Sequence, residues 1–251
     1  MSQILRLYVH DLRRVLREPR SFRLLVLALA LTSAATILAW PNETHHTRIS
    51  SVQTVAVFAF TELVLLLLLA PLLASSIFTA ERARNTSVLL ETSLLSPGEF
   101  ALSRLASIAT TLTIAFSATA PIFAALHLLG GVAIEQILRM VAILLAAGIS
   151  SAAIAVRAAF NTPAKSSLFG RVLLAVLGWQ FGVPLLVWLG LLIPGVVINE
   201  LGSAFGPSFV LDQSYRILLG FNSFAALGLT LDQPGVAATF GYLAFATFIV
   251  M

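Results

Sequence analysis

Cysteine is missing from all 251 residues. Disulfides and thiolate metal sites are therefore excluded, and the chain carries no mark of its redox compartment. Charge is almost as scarce. Only 10% of residues are Asp, Glu, Lys or Arg, against about 25% in a soluble domain, so an ordinary water-soluble fold is excluded too. No G-x-x-x-x-G-K-[ST] stretch occurs, which removes the backbone cradle and lysine of a Walker-type nucleotide site. HExxH and paired-Asp motifs are absent, and His127, the one histidine near an apolar run, has no nucleophile set beside it. No enzyme chemistry is expected on this chain.

What is present is hydrocarbon: 59% of residues are hydrophobic, and the mean hydropathy is +0.97. Apolar runs of roughly 20 residues cross a hydrocarbon layer about 30 Å thick as helices. The expected fold class is all-α, a polytopic membrane protein forming one transmembrane domain over residues 1–251. Residues 1–20 make an N-terminal interfacial amphipathic helix, with Ile4, Leu5, Tyr8, Leu12, Val15 and Leu16 on one face and Arg6, His10, Arg13 and Arg17 on another. Six transmembrane helices are expected over 22–40, 52–80, 101–128, 136–156, 172–194 and 235–251. The first has arginine-rich flanks and no small-residue cleavage site, so it reads as a retained span and not a signal peptide. The second is longer than a perpendicular helix needs and is expected to tilt or kink, with Pro71 the natural place. The fourth carries Gly148 and Ala152 four apart, which suits close helix packing in lipid. Residues 195–234, too polar to cross and too apolar to float, are expected to form a re-entrant region of short helices. The last run stops at Met251 before any polar flank, which leaves continuation of the chain open.

The net charge of +4 comes from basic residues beside membrane-length runs. Lipid headgroups are the expected counter-charge, and nucleic acid is not. With the N-terminus in the cytosol, only Arg48, Arg139 and Arg216 of the 15 basic residues fall outside, as the positive-inside rule requires.

Residues 81–100 then form a cytosolic loop between the second and third spans. "SVLLETSLL" places Val88, Leu89, Leu90, Leu94 and Leu95 at near-helical spacing, and "SPGE" at Ser96 to Glu99 is a capping box with Pro97 at the first helical position. A short helix with exposed leucines, flanked by Glu81, Arg82, Arg84, Glu91 and Glu99, is suited to docking in a groove of a partner. A helix lying on the membrane surface has the same periodicity.

The stretch "AERARNTSVLLETSLLSPGEFALSRL" resembles the signature of the permease subunits of type-2 ATP-binding-cassette exporters. In those, an E-R/K-x-x-G-T segment leads to a run like L-L-x-T-P-L-S-x-x-E-x-x-x-x-K. Glu81, Arg82, Thr86, Leu89, Leu90, Thr92, Leu95, Ser96, Glu99 and Arg104 match the pattern. Asn85 stands where glycine is usual, Ser93 and Leu94 depart from the Thr/Pro and Leu neighbourhood, and Arg104 replaces lysine. The resemblance implies a coupling helix seated in a cleft of a cytosolic ABC ATPase subunit, with Glu81, Arg82, Arg84, Thr86, Leu89, Leu90, Glu91 and Glu99 as the coupling residues. It implies ATP and Mg on that partner and no cofactor on this chain, a second permease copy or a homologous permease, and the plasma (inner) membrane of a prokaryote. The cargo it implies is hydrophobic or amphipathic and exported.

Two polar residues interrupt the expected spans. Glu62 lies about ten residues into the second, about 15 Å along the helix, where a carboxylate costs about 2.5 to 3.5 kcal/mol on insertion scales. It must face protein or water, as a structural hydrogen bond or as a translocation-pathway residue. Gln180 in the fifth span poses the same choice, and the resemblance tilts both toward the pathway. His45 and His46, with Glu43, lack the spacing that fixes a metal's geometry, so no metal site is expected. Two rival functions keep the same outline: a proton-coupled secondary transporter titrating Glu62, for which inverted repeats are lacking, and a non-transporting membrane scaffold that recruits a partner.

Overall fold

The computed structural model describes residues 3–40, 48–83, 96–128, 132–162, 167–182, 222–232, 242–243 and 246. Among the described residues every regular element is helical and there is no strand. The helices are α1 (Gln3–Arg17), α2 (Pro19–Leu38), α3 (Arg48–Ala83), α4 (Pro97–Ser117), α5 (Ala120–Leu128), α6 (Ile134–Phe160), α7 (Leu168–Leu177) and α8 (Ser223–Asp232). A π-helical turn, Gly178–Gly182, follows α7.

Three stretches are long and apolar enough to cross a membrane: Val52–Thr79 in α3, Gly98–Leu128 across α4 and α5, and Ile134–Phe160 in α6. A fourth is reached if α1 and α2, which meet at a 65° bend, are counted as one broken span. These are the helices of a membrane-embedded protein.

α3 is the axis of the bundle, packed against α2, α4, α6, α7 and α8. Most of its apolar surface is buried, with Val55, Phe58, Ala59, Leu63, Leu66, Ala70, Leu73 and Ala74 all at 3% exposure or less, while Val57, Val64 and Leu68 form an exposed apolar stripe. A helix that is apolar all round belongs in an interior or in lipid. α6 lies beside it with small residues at four-residue spacing, Ala147, Ser151, Ala155 and Ala159, all buried. A Cβ on the neighbouring Gly148 would meet Leu66 Cδ2 at 3.8 Å and Leu112 Cδ1 at 3.9 Å. That is ordinary contact, so α3, α4 and α6 converge there to within one methyl group.

α3 runs unbroken through the buried Pro71, while the stretch expected as one span over 101–128 breaks at Ala118–Thr119, just before the exposed Pro121. Both prolines remove a donor to the carbonyl four residues back. The first is buried among packed helices, and the second is exposed. α1 does not only lie along an interface: one face packs on α4 and α2, and Val15 is 2% exposed. α8, inside the region expected as re-entrant, packs on α3 and α6 with Ser223, Ala226, Leu227 and Thr230 buried.

Candidate functional site

The two ends of the 81–100 connection meet at one end of the bundle. α3 reaches it at Ala83, with Glu81 and Arg82 on its last turn, and α4 leaves it at Pro97. Arg84, Thr86, Leu89, Leu90 and Glu91 lie outside the described residues. The restart is built as the sequence predicts: Ser96 Oγ accepts from the Glu99 amide at 3.3 Å, and Glu99 Oε2 accepts from the Ser96 amide at 2.8 Å. Ser96 has extended backbone, φ −67° and ψ 151°, and Pro97 opens the helix. The cap satisfies donors a helix start otherwise leaves orphaned, which is worth about 1 kcal/mol.

Behind this start the side chains interlock. The Phe160 ring at the end of α6 meets Phe78 of α3 at 5.0 Å and Phe100 of α4 at 5.6 Å, both edge to face. The Arg104 guanidinium lies 4.7 Å above the Phe100 ring centroid and pairs with Asp11 of α1. Both members of that ion pair are 3% exposed. One helical turn further on, α1 is bonded again, Tyr8 Oη to Thr110 Oγ1 at 3.1 Å. The connection therefore emerges from a base in which α1, α3, α4 and α6 are joined by stacking and by a buried charge pair.

Asp11 is the residue that motif and periodicity miss. It follows Tyr8 by three and precedes Val15 by four, both on the apolar face of α1. No spacing on α1 points to its cation, which lies on α4. The outer side of α1 carries Leu5, Val9, His10, Arg13, Arg14 and Arg17 along a shallow open groove.

Glu62 and Gln180 are both buried, at 4% and 3% exposure, and each is hydrogen-bonded to a neighbouring element. Glu62 Oε2 lies 3.0 Å from Thr32 Oγ1, tying α3 to α2. Gln180 sits in the π turn. Its backbone carbonyl takes a donor from outside the turn. Asn222 Nδ2 supplies one at 2.8 Å, and Ser223 Oγ donates to Gln180 Oε1 at 3.0 Å. The Asn222 Oδ1 accepts in turn from the Phe224 amide at 2.8 Å. The Tyr242 hydroxyl is in hydrogen-bonding reach of Ser150, Gln180 and Ser223. The two residues thus engage different partners, on opposite sides of the sequence. His45 and His46 lie outside the described residues.

Comparison with protein-family models, with curated proteins and with solved structures returns no match.

Proposed function

We propose that the chain is the membrane-spanning permease subunit of an ATP-driven exporter of the second ATP-binding-cassette type. It works with a second permease, identical or homologous, and with cytosolic ATPase subunits that carry ATP and Mg. Six spans, a cytosolic N-terminus, a prokaryotic inner membrane and a re-entrant 195–234 region belong to the same proposal. So does the role of residues 84–95 as the element that docks on the ATPase.

The observation that carries it is the base of the 81–100 connection. The motif resemblance requires a helix restart at Ser96 and a basic residue at Arg104. Ser96 caps α4, and Arg104 is the buried side chain that binds α4 to α1. A push on 84–95 acts on α3 through Glu81 and Arg82, and on α4 through the capped start. The Phe78–Phe160–Phe100 cluster hands it to α6, and the Asp11–Arg104 pair hands it to α1. Closure of the ATPase pair is then felt by four helices together. Glu62 and Gln180, each bonded across elements, sit where repacking exposes polar groups to a hydrophobic or amphipathic cargo.

Mild-detergent purification of the chain from its native membrane tests the assignment. An ATPase subunit is expected in equal amount; its repeated absence sinks the proposal. In the reconstituted complex, Leu89→Asp with Leu90→Asp should uncouple ATP hydrolysis from transport while the permease remains folded. A second reading, a proton-coupled transporter, is favoured by the carboxyl at mid-span: Glu62→Gln abolishes transport there but only modulates an ATP-driven exporter.

A further inference from the structure

The bond between Glu62 and Thr32 contains a proton count. Thr32 Oγ1 lies 3.0 Å from Glu62 Oε2 and 2.9 Å from the carbonyl oxygen of Ala28, one turn back on α2. A hydroxyl has one hydrogen to give and two lone pairs with which to accept. Thr36 gives its hydrogen backward in the same way, to the Thr32 carbonyl at 2.8 Å, and Thr111 to Ser107 at 2.8 Å. With the Thr32 hydrogen on Ala28, the Thr32 oxygen can only accept from Glu62, and Glu62 Oε2 must carry a hydrogen.

The opposite arrangement, a carboxylate receiving the Thr32 hydrogen, leaves a full buried charge served by one neutral donor. Among the described residues the ion pairs are Asp11 with Arg104 and His10, and Glu135 with Arg139. None includes Glu62. The described charged side chains of the helices packed on α3 are Arg23, Glu99, Arg104, Glu135, Arg139, Arg157 and Arg171, with the titratable His127 on α5; Arg104 is paired with Asp11, and the others lie within two turns of a helix end. Glu62 lies mid-helix, between turns carrying the buried Phe58, Ala59 and Leu66. An ion there forfeits more solvation than a lone hydroxyl returns.

We propose that Glu62 is a proton-binding site inside the bundle. Its carboxyl takes one proton from water as the helices assemble and donates it to Thr32 Oγ1. Thr32 in turn donates to Ala28, so a neutral acid closes the contact between α2 and α3. This goes beyond the exporter assignment and stands without it.

Infrared difference spectroscopy of the full chain in lipid vesicles tests it. At neutral pH the wild type should show the carbonyl band of a protonated acid, and that band should be lost in E62Q. T32V removes the acceptor and should move the band to higher frequency, while T32S, which keeps the hydroxyl, leaves it in place. E62Q, whose amide N–H replaces the acid as donor, should retain the wild-type thermal midpoint. A wild-type spectrum from which E62Q subtracts only a carboxylate band overturns the proposal, as does an acid band that T32V leaves unmoved. Should E62Q fail to fold, the T32V and T32S spectra still decide, because both are read from the unaltered Glu62.

Discussion

Removing one partner of a buried ion pair leaves the other charge without compensation, at a cost of about 3 to 5 kcal/mol. Asp11 and Arg104 are such a pair, so Asp11→Ala and Arg104→Ala are each expected to destabilise the protein by about that amount. Replacing both with apolar residues of similar volume, Asp11→Leu with Arg104→Met, should recover most of the loss. Denaturant unfolding in mixed micelles, run as a double-mutant cycle, measures this; strictly additive losses would show that the two charges do not act together. Part of the Arg104 effect survives in any Asp11 variant, because its guanidinium also rests on the Phe100 ring, a contact worth about 0.5 to 2 kcal/mol. At this scale the sequence is half legible. Glu62 announces itself, since a lone acid within an apolar run has few places to go. Asp11 does not, because its partner lies in another helix and no spacing rule links them.

At the scale of elements, local chemistry decides what sequence can and cannot foretell. The "SPGE" restart is readable because every group in the cap lies within four residues. The turn at Gly178–Gly182 is only partly so. Gln180 stands out as a polar residue within an apolar run, but that its carbonyl is served by Asn222, some forty residues on, depends on how α8 docks. Asn222→Ala removes that donor, and a buried acceptor left bare costs about 1 to 3 kcal/mol. The expected outcome is faster amide exchange through Leu168–Gly182, with exchange in α3 unchanged. Asn222→Ala exchanging like the wild type would show that the carbonyl finds another donor. Long apolar runs forecast helices reliably but not their continuity, as Pro71 and Pro121 illustrate: the first lies buried within an unbroken helix, the second exposed beside a break.

For the molecule as a whole, orientation is the property most open to a direct test, and the absence of cysteine makes that test clean. Single cysteines at Thr44 and Ser93, labelled in intact cells with a membrane-impermeant thiol reagent, should react at position 44 and stay protected at position 93 until the cells are opened. Reversed labelling would invert the topology and move the arginine-lined groove of α1 to the far side. The all-helical, membrane-spanning architecture was legible from composition and run length alone. The way the helices interlock was not, because it rests on a handful of polar contacts between residues far apart in the chain.

Those contacts have a counterpart in the order of biosynthesis. Most buried hydroxyls here bond to carbonyls three or four residues back on their own helix, as Thr36, Ser107, Thr111, Ser151 and Thr230 do. Such helices carry their polar groups already satisfied and can enter the bilayer one at a time. Asp11 has only the exposed His10 beside it on its own helix. Its cation is translated roughly ninety residues later, an interval of about 5 to 20 s at ordinary elongation rates. Throughout that interval the amphipathic first helix must wait at the headgroup layer, where its aspartate stays hydrated, and the arrival of α4 is the event that lets it lock.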